Sequence, residues 1–238
     1  MKLEGFLFDL DGVVIDSEPY NDKACALLLE TFGKKYDRDA VKPLMVGKSD
    51  VEGMEILVKY HKVPISGSEF DSLRRENKKH FYEEEIPYMK GFLGFYSKLL
   101  LNYPLPVAIA TACNKEYFDL IDKRLKISEL FNNKIFRSDT VARHKPYPDI
   151  YLHSAKQIGI NCESSIVFED APSGIVAGLR AGARIVALTT TFSKKVLLEN
   201  ISKILGEKLN LERILFINDF SDENYSKLTK FLEKNGFE

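Results

Sequence analysis

Aspartates at positions 9 and 11 flank a single leucine in Phe6-Leu7-Phe8-Asp9-Leu10-Asp11-Gly12-Val13-Val14. The apolar lead-in reads as a buried strand that delivers two carboxylates to its carboxyl end. Strand residues alternate faces, so Asp9 and Asp11 can share a side. Two anions that close repel unless a cation lies between them or one takes a proton. The competing reading is a strand-ending turn, because Asp-Gly is a common turn pair. Three further segments carry groups of the same chemical interest. Val107-Ala108-Ile109-Ala110-Thr111 ends an apolar run in a hydroxyl. His144-Lys145-Pro146-Tyr147-Pro148-Asp149 carries a lysine. Ile166-Val167-Phe168-Glu169-Asp170-Ala171-Pro172-Ser173-Gly174 ends an apolar run in two more carboxylates.

Short β-type runs are expected at 5–8, 106–110, 134–136, 164–168, 184–188 and 213–217. Most are continuous apolar stretches, as in strands covered on both faces. Helical periodicity lies between them, at 92–101, 117–125, 149–158 and 172–181. The alternation predicts an α/β fold, a Rossmann-like parallel sheet with helices on both faces. Ligands of such sheets sit beyond the carboxyl ends of the strands, where Asp9, Thr111 and Glu169-Asp170 fall.

The stretch from 16 to 88 is different. It has helical segments at 21–32, 50–60 and 69–84 and no convincing strand. A crossover of that length far exceeds an ordinary strand connection. It is read as an inserted all-helical cap domain, residues 16–88, with 1–15 and 89–238 forming the core. Gly12 and the 86–91 segment are the expected hinges. A helix at 222–234 is expected to cover the last strand.

Composition narrows the partners. The 238 residues carry 34 basic and 35 acidic side chains, a net charge of −1, which provides no electrostatic case for nucleic acid or an anionic membrane. Cys25, Cys113 and Cys162 are too scattered for a disulfide framework or a zinc site, so a reducing, cytoplasmic setting is expected. The amino terminus reads as neither a secretory signal nor a membrane span. The even charge and the lack of a heptad seam point to a monomer.

FDLDGVVIDSEP, KPxPDIY and FEDAPSGI, in that order, resemble the haloacid dehalogenase-like hydrolase superfamily, and more closely its β-phosphoglucomutase and small-sugar-phosphatase branch with a helical cap. The resemblance covers nearly the whole chain. It implies that Asp9 is a nucleophile forming an aspartyl-phosphate, which splits hydrolysis into two steps. It assigns Asp11 the general acid and base role, with its backbone carbonyl on the metal. Hard oxygen donors suit Mg²⁺, the expected cofactor, with Asp170 as the distant ligand and Glu169 at or just behind the ion. Helix capping is the competing role for the Glu169-Asp170 pair. Lys145 supplies positive charge to the phosphate and to Asp9. Thr111, the Ala112 amide and Asn114 are the expected phosphate donors, a role compatible with helix capping.

Glu18, Asn21, Gly47 and Lys48 are candidates to face the substrate from the cap; plain surface positions are the alternative. Gly47-Lys48-Ser49 shares its end with a phosphate-binding loop but lacks that motif's upstream glycine. The expected activity is Mg²⁺-dependent hydrolysis of a small phosphorylated metabolite, a sugar phosphate first. A sugar phosphomutase is the nearest rival. Members of that group carry histidine at the end of D-[ST]-x-x-x-H, where this chain has Asn21, which cannot relay a proton. A non-catalytic regulator holding a phosphorylated ligand is the alternative of another class.

Overall fold

The computed structural model describes residues 2–46, 50–206 and 209–237. Along the chain run β1 (Gly5–Phe8), α1 (Glu18–Thr31), α2 (Arg38–Met45), α3 (Asp50–His61), α4 (Gly67–Glu84), α5 (Phe92–Asn102), β2 (Val107–Thr111), α6 (Lys115–Leu125), α7 (Ile127–Leu130), β3 (Ile135–Arg137), α8 (Asp149–Gln157), β4 (Ser165–Glu169), α9 (Pro172–Arg180), β5 (Arg184–Leu188), α10 (Lys194–Leu205), β6 (Ile214–Ile217) and α11 (Asp222–Lys234). The chain divides into two compact units, one of Met1–Asp16 with Pro87–Glu238 and one of Ser17–Ile86.

The first unit is built on a six-stranded sheet of order β3-β2-β1-β4-β5-β6, with every pairing parallel. The strands match the apolar runs read from the sequence, four of them displaced by a single residue at one or both ends. Buried Val, Ile, Leu and Phe fill the strands because helices cover both faces. One face is aliphatic: Leu7, Ala108, Val167 and Ile185 pack with Ile150 and Tyr151 of α8 and Ile175 and Val176 of α9. The other is aromatic. Phe8 stacks on Phe168 at 4.4 Å between ring centroids and meets Phe92, Tyr96 and Phe131 edge-on. Such contacts add about 0.5–1.5 kcal/mol each beyond the area they bury.

Strand register is what positions the chemistry. Phe8 lies beside Ile109 of β2 and Phe168 of β4. Advancing each strand by one residue brings Ala110, Asp9 and Glu169 level with one another. Residues level in parallel strands point to the same face, here the face covered by α8 and α9.

The second unit holds α1 to α4. Its core joins Cys25, Leu28 and Leu29 of α1, Val41 of α2, Met54, Leu57 and Val58 of α3, and Phe70 of α4. Polar contacts join α1 to α2 and to the segment between them. Lys42 pairs with Glu18, and Asp22 accepts from Arg38 Nε at 2.6 Å and from the Tyr36 hydroxyl at 3.1 Å. Among the described residues no helix is long and apolar enough to cross a membrane.

Candidate active site

Four segments meet at the carboxyl edge of the sheet, all within the first unit. Lys145 lies on the stretch leading into α8. Its ammonium donates to Asp9 Oδ1 at 2.6 Å, to Glu169 Oε1 at 2.7 Å and to the Ala110 carbonyl at 3.2 Å. An ammonium has three donors, and these are its three acceptors, supplied by the three strand positions that the register aligns. Lys145, Asp9 and Glu169 are all buried. Burial pushes the Asp9 carboxyl up to about 7; Lys145 opposes this, while Glu169 and Asp11 add to it. Burial on its own would lower the lysine, but Asp9 and Glu169 outweigh it and hold the ammonium charged well above the usual range.

Glu169 is held at both oxygens. Oε1 accepts from Lys145 and from the buried Tyr151 hydroxyl at 2.8 Å. Oε2 accepts the amides of Asp170 and Ala171 at 2.9 and 3.0 Å. Two donors on each oxygen occupy the four lone-pair sites of a carboxylate. Glu169 therefore fixes the lysine and the turn entering α9. That helix starts with Pro172 in its first turn and has Ala171 as N-cap, without a side-chain cap. Gly174 lies directly over the carboxylate, and a Cβ there would overlap Glu169 Oε1.

Asp9, Glu169 and Asp170 bring one carboxylate oxygen each to within 4.8 Å of one another. Three carboxylates cluster near one ammonium, an excess of negative charge that a cation would balance, and with the Glu169 oxygens taken by donors the carboxylate oxygens of Asp9 and Asp170 are of the kind that suits Mg²⁺. Asp11 is half-buried and adds charge beside Asp9, but its side chain is not one of this trio. The turn after it is closed by the Gly12 amide on the Ile15 carbonyl at 2.9 Å.

Gly12 adopts φ +74°, and a Cβ there would overlap the Asp170 carboxylate. Gly33, at φ +67°, has nothing within 4 Å of a built Cβ. Alanine at Gly33 is expected to cost about 1–2 kcal/mol of stability, the positive-φ penalty by itself. Alanine at Gly12 adds the displacement of a buried carboxylate and is expected to cost about 3 kcal/mol or more. Thermal unfolding of the two variants checks the difference.

The phosphate-donor candidates lie at the end of β2. Thr111 is fully buried, and its hydroxyl oxygen accepts the Cys113 amide at 2.9 Å. Its own proton is not used in that bond. Asn114 caps α6, accepting the Tyr117 amide at 2.9 Å, while Ala112 is exposed. Glu18 and Asn21 belong to the helical unit. Glu18 pairs with Lys42, and the buried Asn21 Oδ1 has no hydrogen-bond partner. Gly47 and Lys48 lie outside the described residues. The sequence offers no signal for the Tyr151 hydroxyl on Glu169, nor for Thr191, which reaches Asp170 from the loop after β5. Their partners are 18 and 21 residues away in the chain.

Comparison with known proteins agrees with this architecture. A phosphorylated carbohydrates phosphatase from Thermotoga maritima is 31% identical over 184 residues, 76% of this chain and 82% of that protein. A validoxylamine A 7'-phosphate phosphatase from Streptomyces hygroscopicus is 32% identical over 195 residues, 81% of this chain and 89% of that one. In fold, the chain is similar to the crystal structure of a β-phosphoglucomutase from Clostridium difficile, with TM-score 0.69, 20% identity and 98% of each chain covered. The family model for haloacid dehalogenase-like hydrolases matches residues 6–188, from β1 through β5, and the chain belongs to that family.

Proposed function

We propose that this chain is a phosphoric monoester hydrolase that cleaves a small phosphorylated metabolite, with a sugar phosphate as the first candidate. The observation that carries this reading is the buried lysine clamped between Asp9 and Glu169, with Asp170 completing a trio of carboxylates. Relatives at 31% and 32% identity, named a phosphorylated carbohydrates phosphatase and a validoxylamine A 7'-phosphate phosphatase, support it.

In this reading an Asp9 carboxylate oxygen bonds to phosphorus as the ester P–O bond breaks. Asp11 hands its proton to the departing alkoxide. Asp11, now a carboxylate, then takes a proton from the water that attacks the phosphoaspartate. Inorganic phosphate leaves, and Asp9 is regenerated. Lys145 opposes the rise that burial imposes on Asp9, favouring its ionised form, and balances charge on the transferring group. The Thr111 hydroxyl, the Ala112 amide and the Asn114 region hold phosphate oxygens at the mouth of α6. Asp9, Asp170 and the Asp11 carbonyl would hold Mg²⁺, which lets an anionic nucleophile approach an anionic ester. Glu169, its oxygens already occupied by donors, acts through Lys145 and the turn. The helical unit selects the alcohol portion of the substrate, with Glu18, Asn21, Gly47 and Lys48 as the candidate contacts.

A panel of sugar phosphates and other phosphorylated metabolites tests this, with inorganic phosphate as readout. Release that requires Mg²⁺ and stops with a chelator is expected. Consumption of a sugar phosphate without inorganic phosphate establishes the mutase instead. Ligand binding with no consumption establishes a regulator.

A further inference from the structure

The segment after β5 is Thr189-Thr190-Thr191, and each hydroxyl has a different acceptor. Thr189 ties the loop to β6: its amide and its hydroxyl donate to the Ile217 carbonyl at 2.8 and 3.3 Å. Thr190 Oγ1 donates to the Gly12 carbonyl at 3.1 Å. Thr191 Oγ1 donates to Asp170 Oδ2 at 2.5 Å. The same Oδ2 is the atom that a Cβ on Gly12 would overlap, and that Cβ would lie 3.1 Å from Thr191 Oγ1. The loop therefore links the turn after Asp9 and Asp11 to the carboxylate of Asp170. Its β-branched side chains have restricted χ1, so the donors are held in place before anything binds.

Resting on the reading of Asp9 and Asp170 as the cation's ligands, we propose that Thr191, assisted by Thr190, is a positioning residue that sets the affinity of this site for Mg²⁺. A hydroxyl that donates to a ligating carboxylate orients it without occupying a coordination position. Partners of this kind typically change metal affinity by about 10- to 100-fold when removed. Thr190 acts on the other side, holding the Gly12 carbonyl and with it the turn that carries Asp11. Both hydroxyls come from the loop that follows β5, the strand next to β4, and neither is part of the segments that bear the carboxylates.

The test is Mg²⁺ titration by calorimetry, without substrate, on the full chain. Thr191→Val is expected to weaken binding about 10-fold or more, Thr191→Ser to keep it near wild type, and Thr190→Val to weaken it less. Asp170→Asn is expected to abolish it. If Thr191→Val binds like wild type while Asp170→Asn does not bind, the positioning role is wrong and the metal site stands. If Asp170→Asn also binds like wild type, the metal site itself is wrong. Should Thr191→Val fail to fold, Thr191→Ser and Thr191→Ala replace the comparison. Affinity kept by serine and lost by alanine supports the role, and equal affinity overturns it.

Discussion

Asp9→Asn is expected to lower phosphate release by about a thousandfold or more, as loss of a covalent nucleophile does. An asparagine oxygen can still accept from Lys145, so the hydrogen bond at 2.6 Å has a replacement and the fold is expected to survive. The same variant carries a pH signature. Folding raises the Asp9 pKa from 3.8 to about 7, chiefly through burial. The folded chain thus binds this proton more tightly than the unfolded chain. Stability from the protonated form is present at acid pH and is lost as the pH rises through that interval. Metal-free wild type should therefore lose stability between about pH 4 and pH 7, and Asp9→Asn should lose less. Thermal melts in a chelator across that range read the slope, and a phosphate-release assay reads the rate. Undiminished turnover in Asp9→Asn would falsify the nucleophile assignment.

Lys145→Ala is expected to damage both stability and rate. Its ammonium is the shared partner of two buried carboxylates and a main-chain carbonyl. Breaking a buried pair by deleting one partner costs about 3–5 kcal/mol, because the remaining charge is left uncompensated. Here Asp9 and Glu169 lose their cation together, and Asp170 adds a third carboxylate within ligand distance. Mg²⁺ should restore part of the lost melting temperature, since it supplies positive charge to the same trio. Turnover is expected to fall by about 100-fold or more, the scale of losing a preorganised charge at a transition state. A melting temperature unchanged from wild type, with or without Mg²⁺, would show that Lys145 does not neutralise this cluster.

The chain's own pattern was enough to place the strands. Continuous apolar runs such as Phe6-Leu7-Phe8 and Ile166-Val167-Phe168 mark strands covered on both faces, because burial on both sides removes the alternation of a half-exposed sheet. The boundaries moved by a residue, and Thr111 and Glu169 are the last residues of β2 and β4 rather than the first beyond them. The residue types able to do chemistry were equally visible. Carboxylates, a hydroxyl and a lysine at strand ends stand out against apolar surroundings, and their order along the chain carries the family resemblance.

Tertiary structure decided what each group touches. Periodicity is local, whereas the Lys145–Asp9 contact spans 136 residues and depends on β1 lying between β2 and β4. Nothing in the local sequence says that both Glu169 oxygens are filled by donors, or that Thr191 lies against Asp170. A threonine after a strand is ordinary until β5 pairs with β4 and brings its hydroxyl to a buried carboxylate. Sequence thus supplied the groups and the strands that carry them. Their mutual distances, and with them the excess of buried negative charge that calls for a cation, come from strand order and register.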